Sequence, residues 1–181
     1  MEQKITWTYF VIIFVSMILT LLFHEFGHFI LGVISGSQMK MNLIRAVPIG
    51  EYHSSVSGFV SSMGGPLFTL LQSFLIAYIL LKYKIIQLYP FLIAGLLARL
   101  IPNINVFINY GTIVHEDEPN LSLLMGLPSI TVSLIIIGLL IGITFYTSYK
   151  LKMSNKIVLI TIGSAIISFM IIFRISTLLD F

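Results

Sequence analysis

The chain has 181 residues, of which 57% are hydrophobic and only 9% charged, with a formal net charge of +3. Soluble domains carry roughly a quarter charged residues, so an ordinary soluble fold is excluded; the basic residues sit singly or in small groups between apolar runs, which is topology signal and not a nucleic-acid footprint. The absence of cysteine excludes disulfides, thiolate metal ligands and a cysteine nucleophile.

A helix needs about 20 apolar residues to cross a hydrocarbon core of roughly 30 Å. Five runs answer to this, at about Ile5 to Ile34, Met63 to Leu81, Leu88 to Tyr110, Leu127 to Tyr149 and Ile157 to Phe173. Open strands cannot cross lipid with unpaired backbone groups, so the expectation is one all-α integral membrane domain over residues 1–181, with about five transmembrane helices. The first run is too long for a signal peptide and is interrupted by His24, Glu25 and His28, so it is expected to stay in the mature protein. After it, Ser35 to Ser62 holds Pro48, Gly50, Gly58 and an alternating stretch at Tyr52 to Val60, which suits a short hairpin or re-entrant segment.

Arg99, Pro102, Asn103, Asn105 and Asn109 interrupt the third run, as is tolerated where such residues face protein or a wet cavity. Arg99 suits a structural ion pair or a snorkelling position more than a substrate carboxylate. The acidic cluster His115, Glu116, Asp117, Glu118 separates the third run from the fourth, and Gly126, Gly138 and Gly142 suit close helix approach. With five spans, the first and third connections share one side of the membrane. The other side carries Lys4, Lys82, Lys84, Lys150, Lys152 and Lys156, so the positive-inside rule places the amino terminus in the cytoplasm and the two connections outside.

Residues 24–28 read His-Glu-Phe-Gly-His. Four residues apart on a helix, His24 and His28 project from one face, where two imidazoles reach one metal ion. Glu25 beside them suits a general base that takes a proton from water and passes it to a leaving amine. Such a cluster within an apolar span is costly, about 2.5 to 3.5 kcal/mol for a charged residue at the helix centre, and a mere polar packing patch is the weaker explanation. His24 lies about 28 Å along the helix from Ile5, near the side of the two connections. A catalytic zinc site wants three protein ligands and an open position. A carboxylate is the expected third, from Glu51, Glu116, Asp117 or Glu118; Asp117 is the first choice, with Glu118 and Glu116 behind it. Acids before Pro119 also suit a helix amino terminus, and both roles can coexist.

Three features together resemble the site-2 protease family of intramembrane zinc metalloproteases: His24-Glu25-Phe26-Gly27-His28 on the first span, Gly64-Gly65-Pro66-Leu67 opening the second, and Asp117 at the end of the third. They cover a catalytic core of about residues 5–120; the two further helices, about 127–173, match only in being apolar. The resemblance implies a multi-pass protein of the cell membrane, with one zinc ion per chain on His24, His28 and Asp117 and Glu25 as the catalytic residue. It implies cleavage of a membrane-anchored or membrane-associated peptide, paired as an added strand along a hairpin such as Tyr52 to Val60. Where the family carries an Asn soon after its Gly-Pro, this chain has Thr69 and Gln72, which leaves Asn103, Asn105 and Asn109 as candidates to position the substrate. The family opens its site to the cytoplasm, opposite to the lysine count. The alternatives are a metal transporter and a non-catalytic membrane protein that binds a peptide in an immunity or chaperone role.

Overall fold

The first apolar run forms one unbroken helix, α1 (Trp7–Ile34), because nothing in it breaks the helical ladder and lipid leaves the backbone no other partner. Its buried stripe is Tyr9, Ile13, Ser16, Met17, Thr20, His24, Gly27 and His28, at three- and four-residue spacing. Val11, Val15, Leu19, Leu22 and Phe26 are exposed on the other side. The helix is thus apolar outward and more polar inward, as in a bundle whose solvent is lipid.

A computed structural model describes residues 5–108 and 117–178. After α1 come a two-stranded hairpin, β1 (Met39–Met41) and β2 (Ala46–Pro48), then α2 (Ser55–Tyr83), a 3-10 turn at Ile86–Leu88, α3 (Tyr89–Ile108), the short α4 (Asp117–Leu124), α5 (Ile130–Lys150) and α6 (Asn155–Leu178). All but the hairpin, the 3-10 turn and α4 are long and apolar enough to cross a membrane, which makes this an all-α multi-pass membrane protein with five candidate spans.

A hairpin does follow the first span, but at Met39–Pro48 and not at Tyr52 to Val60. The latter stretch runs into α2, which starts early because Ser54 and Ser57 form a reciprocal cap. Ser57 N–H donates to Ser54 Oγ at 3.1 Å, and Ser54 N–H to Ser57 Oγ at 2.8 Å. The apparent alternation also fits a helical face of small residues, since Ser57, Ser61, Gly64 and Gly65 are all buried. The hairpin pairs Met39 with Pro48, Lys40 with Val47 and Met41 with Ala46, and the turn is closed by Asn42 N–H to Arg45 O at 2.9 Å. Its base is pinned to the bundle: Met39 packs on Gly32, and Ser37 Oγ accepts from His53 N–H at 3.0 Å.

Of all the helix pairs, α1 packs most extensively on α2. Their backbones touch: a side chain added at Gly27 would strike the Gly64 carbonyl, and one at Gly64 the Gly27 carbonyl. Gly138 and Gly142, expected at close approaches, have nothing within 4 Å where a side chain would go. Gly126 likewise faces open space, and its φ of +71° suits the left-handed residue after α4. Polar clasps tie the two carboxy-terminal helices to the rest, with Tyr9 OH against Thr161 Oγ1 at 2.7 Å, Tyr89 OH against Ser148 Oγ at 2.8 Å, and Ser133 Oγ donating to Asn103 Oδ1 at 2.7 Å. Without a hydrophobic drive between helices in lipid, close packing and such bonds hold the bundle.

Gly64→Ala is expected to destabilise the protein by about 1–3 kcal/mol through overpacking against the Gly27 carbonyl. Gly138→Ala, with open space around it, should not lower the melting temperature. Thermal unfolding of both variants in one detergent checks the contrast, and equal melting temperatures would contradict the close approach.

Candidate metal centre

His24 and His28 are one helical turn apart on the buried face of α1, beneath the Gly64–Gly65 step of α2. A side chain at Gly65 would collide with His28 Nε2 and with Cε1 and Nε2 of His24, so only glycine leaves room for both rings. Pro66 follows and withholds the N–H that would bond the Ser62 carbonyl in a regular helix.

Each ring is aimed by a bond to its outer nitrogen. His28 Nδ1 lies 2.7 Å from the Ser61 carbonyl oxygen, which only accepts, so Nδ1 carries the hydrogen. His24 Nδ1 lies 2.9 Å from Thr69 Oγ1, and that hydroxyl already donates to Gly65 O at 3.1 Å; it accepts from His24 Nδ1–H. In their neutral forms both imidazoles therefore present bare Nε2 lone pairs inward. Those atoms are 3.1 Å apart, and Asp117 Oδ2 lies 3.2 Å from His24 Nε2 and 3.0 Å from His28 Nε2.

Three electron-rich atoms so close repel one another unless positive charge lies among them. Imidazole and carboxylate donors are a ligand set that suits zinc, and a partner on each outer nitrogen is the arrangement that fixes the tautomer of metal-bound histidines. Local charge also fits a divalent cation. Glu25, Asp117 and Glu118 in ionised form face two guanidinium groups, Arg99 and Arg45, so the acids are in excess among the described residues.

Glu25 is half-buried on the next face of α1, in a cavity of about 350 Å³ that it lines with His28, Arg99, Pro102 and Asp117. The hairpin closes one wall through Arg45, Ala46 and Val47. The cavity thus joins a carboxylate, the donor cluster and a strand.

Of the sequence-based candidates, Glu25, His28 and Asp117 line this cavity, and His24 joins them through its contacts with His28 and Asp117. Asp117 belongs to the separate helix α4 and not to the third span; in the first turn of α4 it complements the helix dipole while its Oδ2 meets the histidines. Glu118 is turned away and fully buried, with Oε1 3.4 Å from Arg99 Nη1 and Oε2 accepting from Asn103 Nδ2 at 3.2 Å. Arg99 also reaches Asp117 Oδ2 at 3.3 Å, which makes it the structural ion-pair partner among its expected roles. Asn103 spends its other amide hydrogen on Arg99 O at 2.9 Å, so it cannot donate to a substrate. Glu51 and His53 are exposed and lie outside the cluster. Glu116, His115 and Asn109 fall outside the described residues, as does the Asn105 side chain. Thr69 and Ser61 were not singled out as aiming residues, because nothing local in the sequence links them to histidines 45 and 33 positions away.

No family model matches this chain, and no curated protein or solved structure does either.

Thr69→Val, which keeps the shape and removes the acceptor for His24, is expected to weaken zinc binding about 10–100-fold with the fold intact, as read by competition with a chromophoric chelator. Glu118→Gln should leave zinc content unchanged yet cost about 1.5–3 kcal/mol of stability by removing one of the two carboxylates that buried Arg99 bonds, as read by metal analysis and thermal unfolding of the same preparation. Loss of zinc in Glu118→Gln would shift the ligand assignment from Asp117.

Proposed function

We propose that this protein is a zinc metalloendopeptidase of the cell membrane, of the site-2 protease type, which hydrolyses a peptide bond in a membrane-anchored or membrane-associated peptide or protein. The observation that carries the reading is the convergence of His24, His28 and Asp117 beside the cavity that Glu25 lines. His24 Nε2, His28 Nε2 and an Asp117 oxygen would hold the ion. Zinc held there supplies Lewis-acid polarisation of the scissile carbonyl and lowers the cost of deprotonating water at neutral pH.

Glu25 takes the proton of the attacking water and later delivers it to the leaving amine, a task that suits a half-buried carboxylate facing the donor cluster. The hairpin supplies the substrate platform. A two-stranded ribbon leaves an edge of each strand unpaired, and an extended peptide adds to such an edge through main-chain hydrogen bonds. Because β2 borders the cavity at Ala46, a peptide paired there would bring its backbone to Glu25 in an unwound form. Arg99 and Glu118 hold α4, and with it Asp117, in position.

The competing reading, passage of a metal through the bundle, is less well supported: Arg99, buried and bonded to Asp117, puts a fixed positive charge beside the donors.

Glu25→Gln is expected to keep zinc content and melting temperature and to lose about 10²–10⁴-fold in cleavage of a membrane peptide substrate. Cleavage at the wild-type rate by this variant, or metal flux into vesicles without any proteolysis, would contradict the proposal.

A further inference from the structure

On the hairpin, residues at alternate positions share a face. Lys40 pairs with Val47 and Asn42 closes on Arg45, so these four stand on one side of the ribbon. That side looks into a second cavity, of about 680 Å³, whose other wall is Ser176 and Thr177 near the end of α6. The two cations are exposed and have no acidic partner among the described residues. Opposite them, Ser176 is 4% exposed, and its Oγ is buried with no hydrogen-bond partner among the described residues. A hydroxyl left unbonded in an apolar bundle is costly, and two cations beside it without an ion pair among the described residues define a site that suits an anion with several acceptor oxygens.

The cavity continues into an apolar groove between α1 and α6, lined by Phe14, Ile18, Ile172 and Ile175, and the two spaces share Asn42 and Ser176. A polar, cationic end joined to an apolar channel matches an amphiphile. We infer that this is a binding site for an anionic phospholipid, with its phosphate held by Lys40, Arg45 and Ser176 and an acyl chain laid along the α1–α6 groove. The surrounding bilayer supplies the ligand, and basic pockets at membrane boundaries between helices recognise such headgroups. Arg45, Ala46 and Val47 also wall the cavity of Glu25. The lipid would therefore clamp the hairpin to α6 and fix the strand that borders the metal centre.

The test measures binding of long-chain phosphatidylglycerol and phosphatidylcholine to the purified full-length protein by native mass spectrometry, and so does not depend on proteolysis. The expected preference for phosphatidylglycerol is about thirtyfold, from two cations near the surface, falling below about threefold in Lys40→Gln/Arg45→Gln. Ser176→Ala, a milder change, should show a partial loss, and Lys82→Gln/Lys84→Gln at the other end of α2 none. Equal affinity for both lipids, or a preference that survives Lys40→Gln/Arg45→Gln, overturns the site. So does displacement of phosphatidylglycerol by glycerol phosphate or an acidic peptide at equal concentration, which would assign the cavity to a free anion or to substrate.

Discussion

The cluster of His24, His28 and Asp117 depends on how closely α1 and α2 approach. At Gly27 and Gly64 the two backbones are in contact with no side chain between them, and at Gly65 the space a methyl group would take is occupied by the rings of His24 and His28. This single constraint sets both histidines beneath α2, close enough for Thr69 and the Ser61 carbonyl to take their outer hydrogens. Small residues do the same elsewhere in membrane bundles, where closeness of backbones substitutes for hydrophobic drive. Here closeness also selects the tautomers, because the acceptors lie on the approaching helix. The inner nitrogens are left with lone pairs and no proton to share.

The third donor comes from a different kind of restraint. Asp117 lies at the start of an eight-residue helix too short to be stable alone, and α4 is held by buried polar contacts. Glu118 bonds Arg99 and Asn103, Ser133 bonds Asn103, and Ser122 Oγ accepts from Val132 N–H at 3.0 Å, so α3, α4 and α5 are knitted together around one ion pair. Each side chain in this network has at least one polar partner, as a low-dielectric interior demands. The two adjacent acids divide the labour: one is neutralised inside the protein, and the other keeps an oxygen for the cluster.

Much of this was legible in the sequence, and the limits have physical causes. The five spans stood out because lipid demands length and apolarity together, and His24, Glu25 and His28 because their spacing is local to one helix. Asp117 was harder, since an acid before Pro119 reads equally as a helix start, and the structure gives it both places. The hairpin was displaced because Tyr52 to Val60 satisfies a period of two and a period of 3.6 at once, and the Ser54–Ser57 cap decides for the helix. The glycines that matter were masked in another way: Gly138 and Gly142 look like packing glycines, but closeness is a property of pairs of helices. Thr69, Ser61 and the role of Asn103 are likewise long-range facts. The resemblance to the site-2 proteases rests on the local motifs, and the geometry adds that three of the named residues share one point in space.

The most direct test is the metal content of the purified protein, measured per chain by elemental analysis in wild type and in His24→Ala, His28→Ala and Asp117→Asn. The account predicts about one zinc per wild-type chain, lost or sharply weakened in each of the three variants, because each removes one of the converging donors. A wild-type protein that holds no zinc when the metal is supplied in excess, or an Asp117→Asn variant that binds it as tightly as wild type, would contradict the account.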